Sequence, residues 1–117
     1  FAPFALRIEG VGRFDHHRRG TLWAGIAPRA PVAALAAKVE RACIAVGLTP
    51  EHRAYHPHIT LARWGGDAGN APDLFIDRQA TLRSDPFEVT AFTLFESHLG
   101  HGGALHEPIA DYPLHPT

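Results

Sequence analysis

The chain has no methionine, one cysteine and, against ten arginines, one lysine in 117 residues. A lone thiol, Cys43, cannot close an intrachain disulfide. That fits a reducing compartment, and the cytoplasm is the expected setting. No apolar run approaches the ~18 residues that a spanning helix needs, so neither a membrane span nor a secretory leader is expected. A formal charge of -1 gives no global attraction to nucleic acid or to an anionic surface. There are no paired cysteines, no H-E-x-x-H and no internal repeat. The glycine-rich stretches "GVGRFDHHRRG" and "GGDAGN" lack the lysine and following helix of a phosphate-cradling loop. The missing methionine, in a chain that opens on Phe1 close to a strand, leads to the expectation that residues are absent upstream.

What is present is ordinary globular material, 45% hydrophobic and 20% charged, enough for one core. The excess of Arg over Lys suits bidentate phosphate binding, although a GC-rich genome produces the same bias. Phe4, Leu6 and Ile8 alternate with Ala5, Arg7 and Glu9, predicting a half-buried strand that Gly10-Val11-Gly12 ends. "RFDHHRRG", residues 13–20, reads as a polar loop, and "TLWAGIA", residues 21–27, as the next strand of a hairpin. Pro28 and Pro31 mark a helix start. Val32, Leu35, Ala36, Val39, Cys43 and Val46 keep helical spacing, and Gly47 stops the helix. Cys43 is expected in the core. His58–Arg63 reads as a strand, 71–82 as a short helix, and "FEVTAFTLF", residues 87–95, as a strand. A turn at 100–103 precedes a last strand within 105–114. The order β-β-α-β-(α)-β-β predicts an α+β architecture, an antiparallel sheet with helices on one face.

The strand "HITLAR" is the anomaly. Side chains alternate faces along a strand, so His58 and Thr60 share one face while Ile59 and Leu61 share the other. If the apolar pair meets the helices, His58 and Thr60 face solvent or a cleft, because unpaired buried polar groups are costly. An imidazole and a hydroxyl at i and i+2 stand roughly 6–7 Å apart, close enough for one phosphate to touch both. The imidazole exchanges a proton near neutral pH and the hydroxyl donates to a phosphoryl oxygen. A solvated strand face is the plainer account of the same pattern.

Other constellations carry less. His56 and His58 form an H-x-H pair, and a metal would need a third ligand such as His98, His101, His106 or Asp111. Arg13, His16, His17, Arg18 and Arg19 make a basic loop, with Arg18 and Arg19 candidates for an RNA backbone. Trp64, Phe92 and Phe95 are either base-stacking surfaces or core.

The block "YHPHITLARW" resembles the second signature of the 2H phosphoesterase superfamily, in particular the RNA 2′,3′-cyclic phosphodiesterase (2′-5′ RNA ligase) group. "PFALRIEGVGRF", "TLWAGI" and "FEVTAFTLFESHLGHGGALHEPIADYPL" resemble the strands around it, so the likeness runs from Phe4 to Leu114. The resemblance implies a two-lobed α+β fold in which each lobe supplies one H-x-[ST] motif to a central cleft. One histidine acts as base on water and the other as acid on the leaving oxygen. The hydroxyls hold the phosphate, with no metal and no cofactor. It implies His58 as a catalytic histidine, Thr60 as a phosphate ligand and Arg63 as a phosphate neighbour. Arg63, however, lies on the face opposite His58 by simple alternation, so that role requires the strand to twist or end there.

The first H-x-[ST] motif is absent. His115-Pro116-Thr117 fits only formally. The expectation is therefore that residues 1–117 are the C-terminal portion of a single 2H phosphoesterase domain, with the first motif upstream. The expected partners are RNA ends or small cyclic nucleotides, with a dimer an option if the missing half is supplied in trans. A lobe that binds RNA or nucleotide phosphate without catalysis is the alternative, and a His-ligated metal protein a remoter one.

Overall fold

The computed structural model describes residues 1–16, 18–100 and 102–116; His17, His101, Thr117 and the His16 side chain lie outside that description. The elements are β1 (Phe4–His16), β2 (Arg19–Ala27), α1 (Arg29–Ala45), β3 (His58–Gly65), α2 (Ala71–Arg78), β4 (Phe87–Val89), β5 (Ala91–Gly100) and β6 (Gly103–Pro113). They form a four-stranded sheet in the order β3-β2-β1-β4 and a two-stranded sheet of β5 and β6. The architecture is α+β, as the alternation of apolar patterns implies. By compactness the chain divides into a larger unit, Leu6–Pro86, and a smaller one made of Phe1–Ala5 with Phe87–Thr117.

In the larger unit, β1 pairs antiparallel with β2, and β2 with β3. β1 does not stop at Gly10. That glycine has φ +74 and lies inside a register shift between Ile8 and Val11, so it forms a bulge and the strand runs on. The extra residue restores alternation: Ile8 opposes Ile26 and Val11 opposes Ala24 on one face. The expected loop at 13–20 is therefore mostly strand, with Arg13 across from Leu22 and Phe14 across from Thr21. Polar composition hid the pairing, because half of these residues face solvent.

The buried apolar side chains of this unit are Leu6, Leu22, Ala24 and Leu35. Register places Leu22, Ala24 and Ile59 on one sheet face. α2 lies toward that face, since Arg13, level with Leu22, bonds Asp73 in the first turn of α2 at 3.0 Å. α1 starts at Arg29, two residues before Pro31, which is tolerated because the first turn has no intrahelical N–H bond to lose. Val32, Leu35, Ala36, Val39 and Cys43 line its less exposed side. Cys43 is half-buried rather than core, and Val46 is an exposed C-cap. α2 ends at Arg78, earlier than expected, and the chain turns there: Leu82 N–H bonds Gln79 O, and the Leu82 carbonyl accepts from Gly10 N–H at 2.8 Å.

In the smaller unit the expected strand 87–95 is two strands broken at Thr90, whose carbonyl accepts from Leu114 N–H at 2.7 Å. β5 and β6 then make a long antiparallel hairpin, with Leu114 its buried apolar residue. Among the described residues no helix is long and apolar enough to cross a membrane.

Candidate active site

β3 is the outer strand of its sheet, paired on one side to β2. His58 opposes Gly25 and Thr60 opposes Trp23. These positions lie on the face opposite Leu22 and Ala24, so His58 and Thr60 do turn away from the apolar face, and both are solvent-exposed.

Arg63 joins them by a route that simple alternation misses. Leu22 opposes Ala62 while its neighbour Trp23 opposes Thr60, so Leu61 is an extra residue in β3. This bulge shifts the alternation by one, and Arg63 comes level with Thr21 on the same face as Trp23. The strand neither ends nor simply twists at Arg63; it continues to Gly65. His58, Thr60 and Arg63 thus follow one another on one face at steps of roughly 7 Å, two residues of partner strand each. Arg19 lies two residues beyond Thr21 on that face, level with Gly65, and Arg18 is exposed in the turn before it.

The His58 ring is held from behind. Its Nδ1 donates to the carbonyl oxygen of His56 at 2.6 Å. A carbonyl only accepts, so the neutral ring carries its proton on Nδ1 and leaves the Nε2 lone pair free. Phe14 meets the ring edge-on, centroids 5.1 Å apart at 87°. His56 packs between Phe14, at 5.1 Å, and Trp23, at 4.7 Å. Burial pushes the His56 pKa down, helped by the positive charge of Arg29 and by His58. Its Nε2 and the Trp23 Nε1 are buried without a hydrogen-bond partner, so a neutral His56 suits this environment better than an imidazolium. Trp23 fits here because Gly12, across from it on β1, has no side chain; a methyl there would fall within contact distance of the indole.

On one solvent-facing patch, then, stand a tautomer-fixed imidazole, a hydroxyl and a guanidinium, backed by an aromatic wall. A proton acceptor beside two donors to anionic oxygen is a set suited to a phosphate ester. Trp64 is elsewhere: it is level with Gly20, on the apolar face that carries Leu22, under the Arg13 guanidinium at 5.3 Å. Phe92 stacks on Tyr112, centroids 4.9 Å apart, within the hairpin of the smaller unit. Of the third ligands weighed for His56 and His58, His98, His106 and Asp111 belong to that hairpin, and His101 lies outside the described residues. His17 of the basic loop lies outside them too.

The family model of the 2′-5′ RNA ligase superfamily matches residues 1–101. The chain belongs to that superfamily. Two relatives of this 2H phosphoesterase group are each named RNA 2′,3′-cyclic phosphodiesterase. That of Geobacillus stearothermophilus is 31% identical over 115 residues, covering 97% of this chain and 36% of the relative. That of Aeropyrum pernix is 29% identical over 113 residues, covering 93% and 64%. The chain thus spans between about a third and two thirds of the lengths of these relatives. In fold, the chain is similar to E. coli LigT, solved in complex with 3′-AMP, with a TM-score of 0.70 at 24% identity over 97% of this chain and 60% of LigT. A Thermus thermophilus protein gives a TM-score of 0.65, also at 24% identity, over 97% of this chain and 61% of its own.

Phe14 and Trp23 were not singled out as site residues by the sequence alone, and His56 was singled out only as half of an H-x-H metal pair. The available signal was a tryptophan at the solvent-facing position between Leu22 and Ala24, opposite a glycine.

Proposed function

We propose that the protein hydrolyses terminal 2′,3′-cyclic phosphates of RNA to 2′-phosphates by general acid-base catalysis, with His58 as one of the two proton-transfer groups. The observation that carries this is the bulge at Leu61, which gathers His58, Thr60 and Arg63 on a single exposed face. The names of the superfamily relatives supply the substrate class, and a nucleotide complex of a similarly folded protein agrees with it.

In the proposed reaction a water oxygen bonds to phosphorus and the P–O3′ bond breaks. One histidine takes the water proton and the other gives a proton to the 3′ oxygen, and exchange of protons with solvent resets both before the next turnover. His58 Nε2, with Nδ1 tied to the His56 carbonyl, is oriented for either part. Thr60 donates to a phosphoryl oxygen, and Arg63 neutralises the charge that gathers on the phosphate. No metal or organic cofactor enters these steps. The second histidine comes from a first H-x-[ST] motif upstream of these residues, or is shared from a second copy of the chain across an interface. Arg18 and Arg19 extend the cationic surface along which an RNA backbone runs.

The test is turnover of an oligoribonucleotide ending in a 2′,3′-cyclic phosphate, by the 117-residue chain and by His58→Ala, each with and without EDTA. Turnover that survives EDTA and falls by about 10²–10⁴-fold in His58→Ala is expected if the second proton donor is present. Phosphate binding that depends on His58 and Arg63, without turnover even when upstream sequence is restored, refutes the catalytic role and leaves a nucleotide-binding lobe.

A further inference from the structure

The β5–β6 hairpin carries a cluster that the phosphate face does not use. Glu96 and Glu107 are direct cross-strand partners. Like charges directly opposite one another on a sheet are destabilising unless something positive lies between them. His98, two residues along β5 from Glu96, shares that face. Its Nε2 stands 2.8 Å from Glu96 Oε1 and 3.2 Å from Glu107 Oε2. A ring nitrogen carries one hydrogen and serves one oxygen at a time, and here the aligned bond runs to Glu107. The nearer carboxylate is left facing the same nitrogen.

We propose that Glu96, His98 and Glu107 form a binding site for a divalent transition metal, with Zn²⁺ the best-matched ion. One ligand atom from each residue lies within 4.8 Å of the other two. Bonds of about 2.0–2.2 Å at a tetrahedral centre set ligand atoms roughly 3.4 Å apart, close to both measured separations, so small side-chain movements complete the geometry. The charges balance: two carboxylates and a neutral imidazole offset a divalent cation, which replaces the single shared proton and satisfies all three groups together. The mixed nitrogen and oxygen set excludes Mg²⁺ and Ca²⁺, which take oxygen ligands, and favours Zn²⁺. All three side chains are exposed, so water fills the remaining coordination and the ion enters without unfolding. A metal here cross-links the two strands near the turn of the hairpin. It plays no part in the chemistry proposed for His58, and the two proposals stand or fall separately.

The experiment is calorimetric titration of Zn²⁺ into EDTA-stripped, dialysed protein, and into His98→Gln, Glu107→Gln and His106→Gln. Ligand loss costs at least the ~10–100-fold that outer partners of a metal site cost. One Zn²⁺ per chain, weakened by more than about tenfold in His98→Gln and Glu107→Gln, is the expected result. His106→Gln, on the opposite face of the hairpin where His106 pairs with Ser97 at 2.9 Å, leaves affinity unchanged. Co²⁺ added to the wild-type chain gives visible absorption of a low-coordinate site that Zn²⁺ abolishes, a readout that needs no variant to fold. No stoichiometric binding, or binding unaltered by His98→Gln, overturns the proposal.

Discussion

Replacing Gly12 by alanine tests whether the aromatic wall sets the position of His58. A methyl at Gly12 meets Cζ2, Cη2 and Cε2 of the Trp23 indole. The ring cannot yield freely, because His56 packs on it at 4.7 Å and Phe14 at 5.4 Å. Overpacking of this kind costs roughly 1–3 kcal/mol. Gly12 does not need a positive φ, so alanine also recovers about 0.4–1 kcal/mol by restricting the unfolded chain. The net expectation is a loss of about 1 kcal/mol, or a fall in Tm on the order of 4 °C. Displacement of Trp23 reaches His56, whose carbonyl holds His58 Nδ1 at 2.6 Å, so kcat on a cyclic-phosphate substrate falls more than KM rises. Gly65→Ala is the control: it lies on β3, has no heavy atom within 4 Å of the added methyl and needs no positive φ. It should leave Tm unchanged or slightly raised. Thermal melts by circular dichroism and steady-state kinetics read both effects. The double variant Gly12→Ala/Trp23→Phe should regain stability, with a coupling of about 0.5 kcal/mol or more. Additive losses, or a Gly12→Ala protein as stable as the Gly65→Ala one, would refute the packing argument.

Deleting Leu61 removes the bulge and returns β3 to plain alternation, in which Arg63 follows Thr60 at an even interval, so His58, Thr60 and Arg63 stay on one face. Nucleotide affinity, measured by calorimetry, should therefore survive the deletion but drop in Arg63→Ala, and Arg63→Lys should fall between because lysine keeps the charge without the bidentate fork. Folding holds the His56 pKa below its ordinary 6.5 through burial, with Arg29 and His58 adding to the effect. The unfolded chain therefore binds this proton more readily, and the associated stability is complete above about pH 6.5 and is lost as pH falls through the depressed folded value. Tm followed from about pH 8 to about pH 5 should decline less in His56→Phe than in wild type; equal slopes would rule out the linkage.

Much of the fold was legible because hydrophobic period is a direct record of burial. The stripe from Val32 to Cys43 marked α1, and the alternation at Phe4–Ile8 and Thr21–Ala27 marked β1 and β2. Failures came where backbone geometry outweighed composition. Gly10 looked like a strand end but makes a bulge, since its φ of +74 bends the chain without ending the pairing. "RFDHHRRG" looked like a loop because a strand at a sheet surface is as polar as one. The apolar run 87–95 looked continuous because a strand leaving one sheet for another keeps its apolar character across the break at Thr90. At the site, His58 and Thr60 were readable from alternation alone. The Phe14–Trp23–His56 packing depends on pairing three distant segments, and no local pattern encodes it.

The interval between Thr60 and Arg63 contains a signal that alternation rules discard. His58 and Thr60 are two apart and share a face. Arg63 is three further on, and an odd interval places a side chain on the wrong face of any regular strand. Two facts resolve the conflict only together: the guanidinium lies with the hydroxyl, and one residue between them has no partner of its own on β2. Leu61 is that residue, and it is half-exposed despite being leucine in a strand. Burial would have pinned it to the apolar face and forced regular pairing. An outer strand, free on one side, absorbs the extra residue at the cost of local ladder bonds that water replaces. The odd spacing H-x-T-x-x-R on an outer strand therefore encodes a bulge, and the bulge brings polar residues of two nominal faces into one row on a single face. Inserting a second residue beside Leu61 should break that row where deleting Leu61 keeps it, because Arg63 then either turns to the opposite face or moves one step further from Thr60.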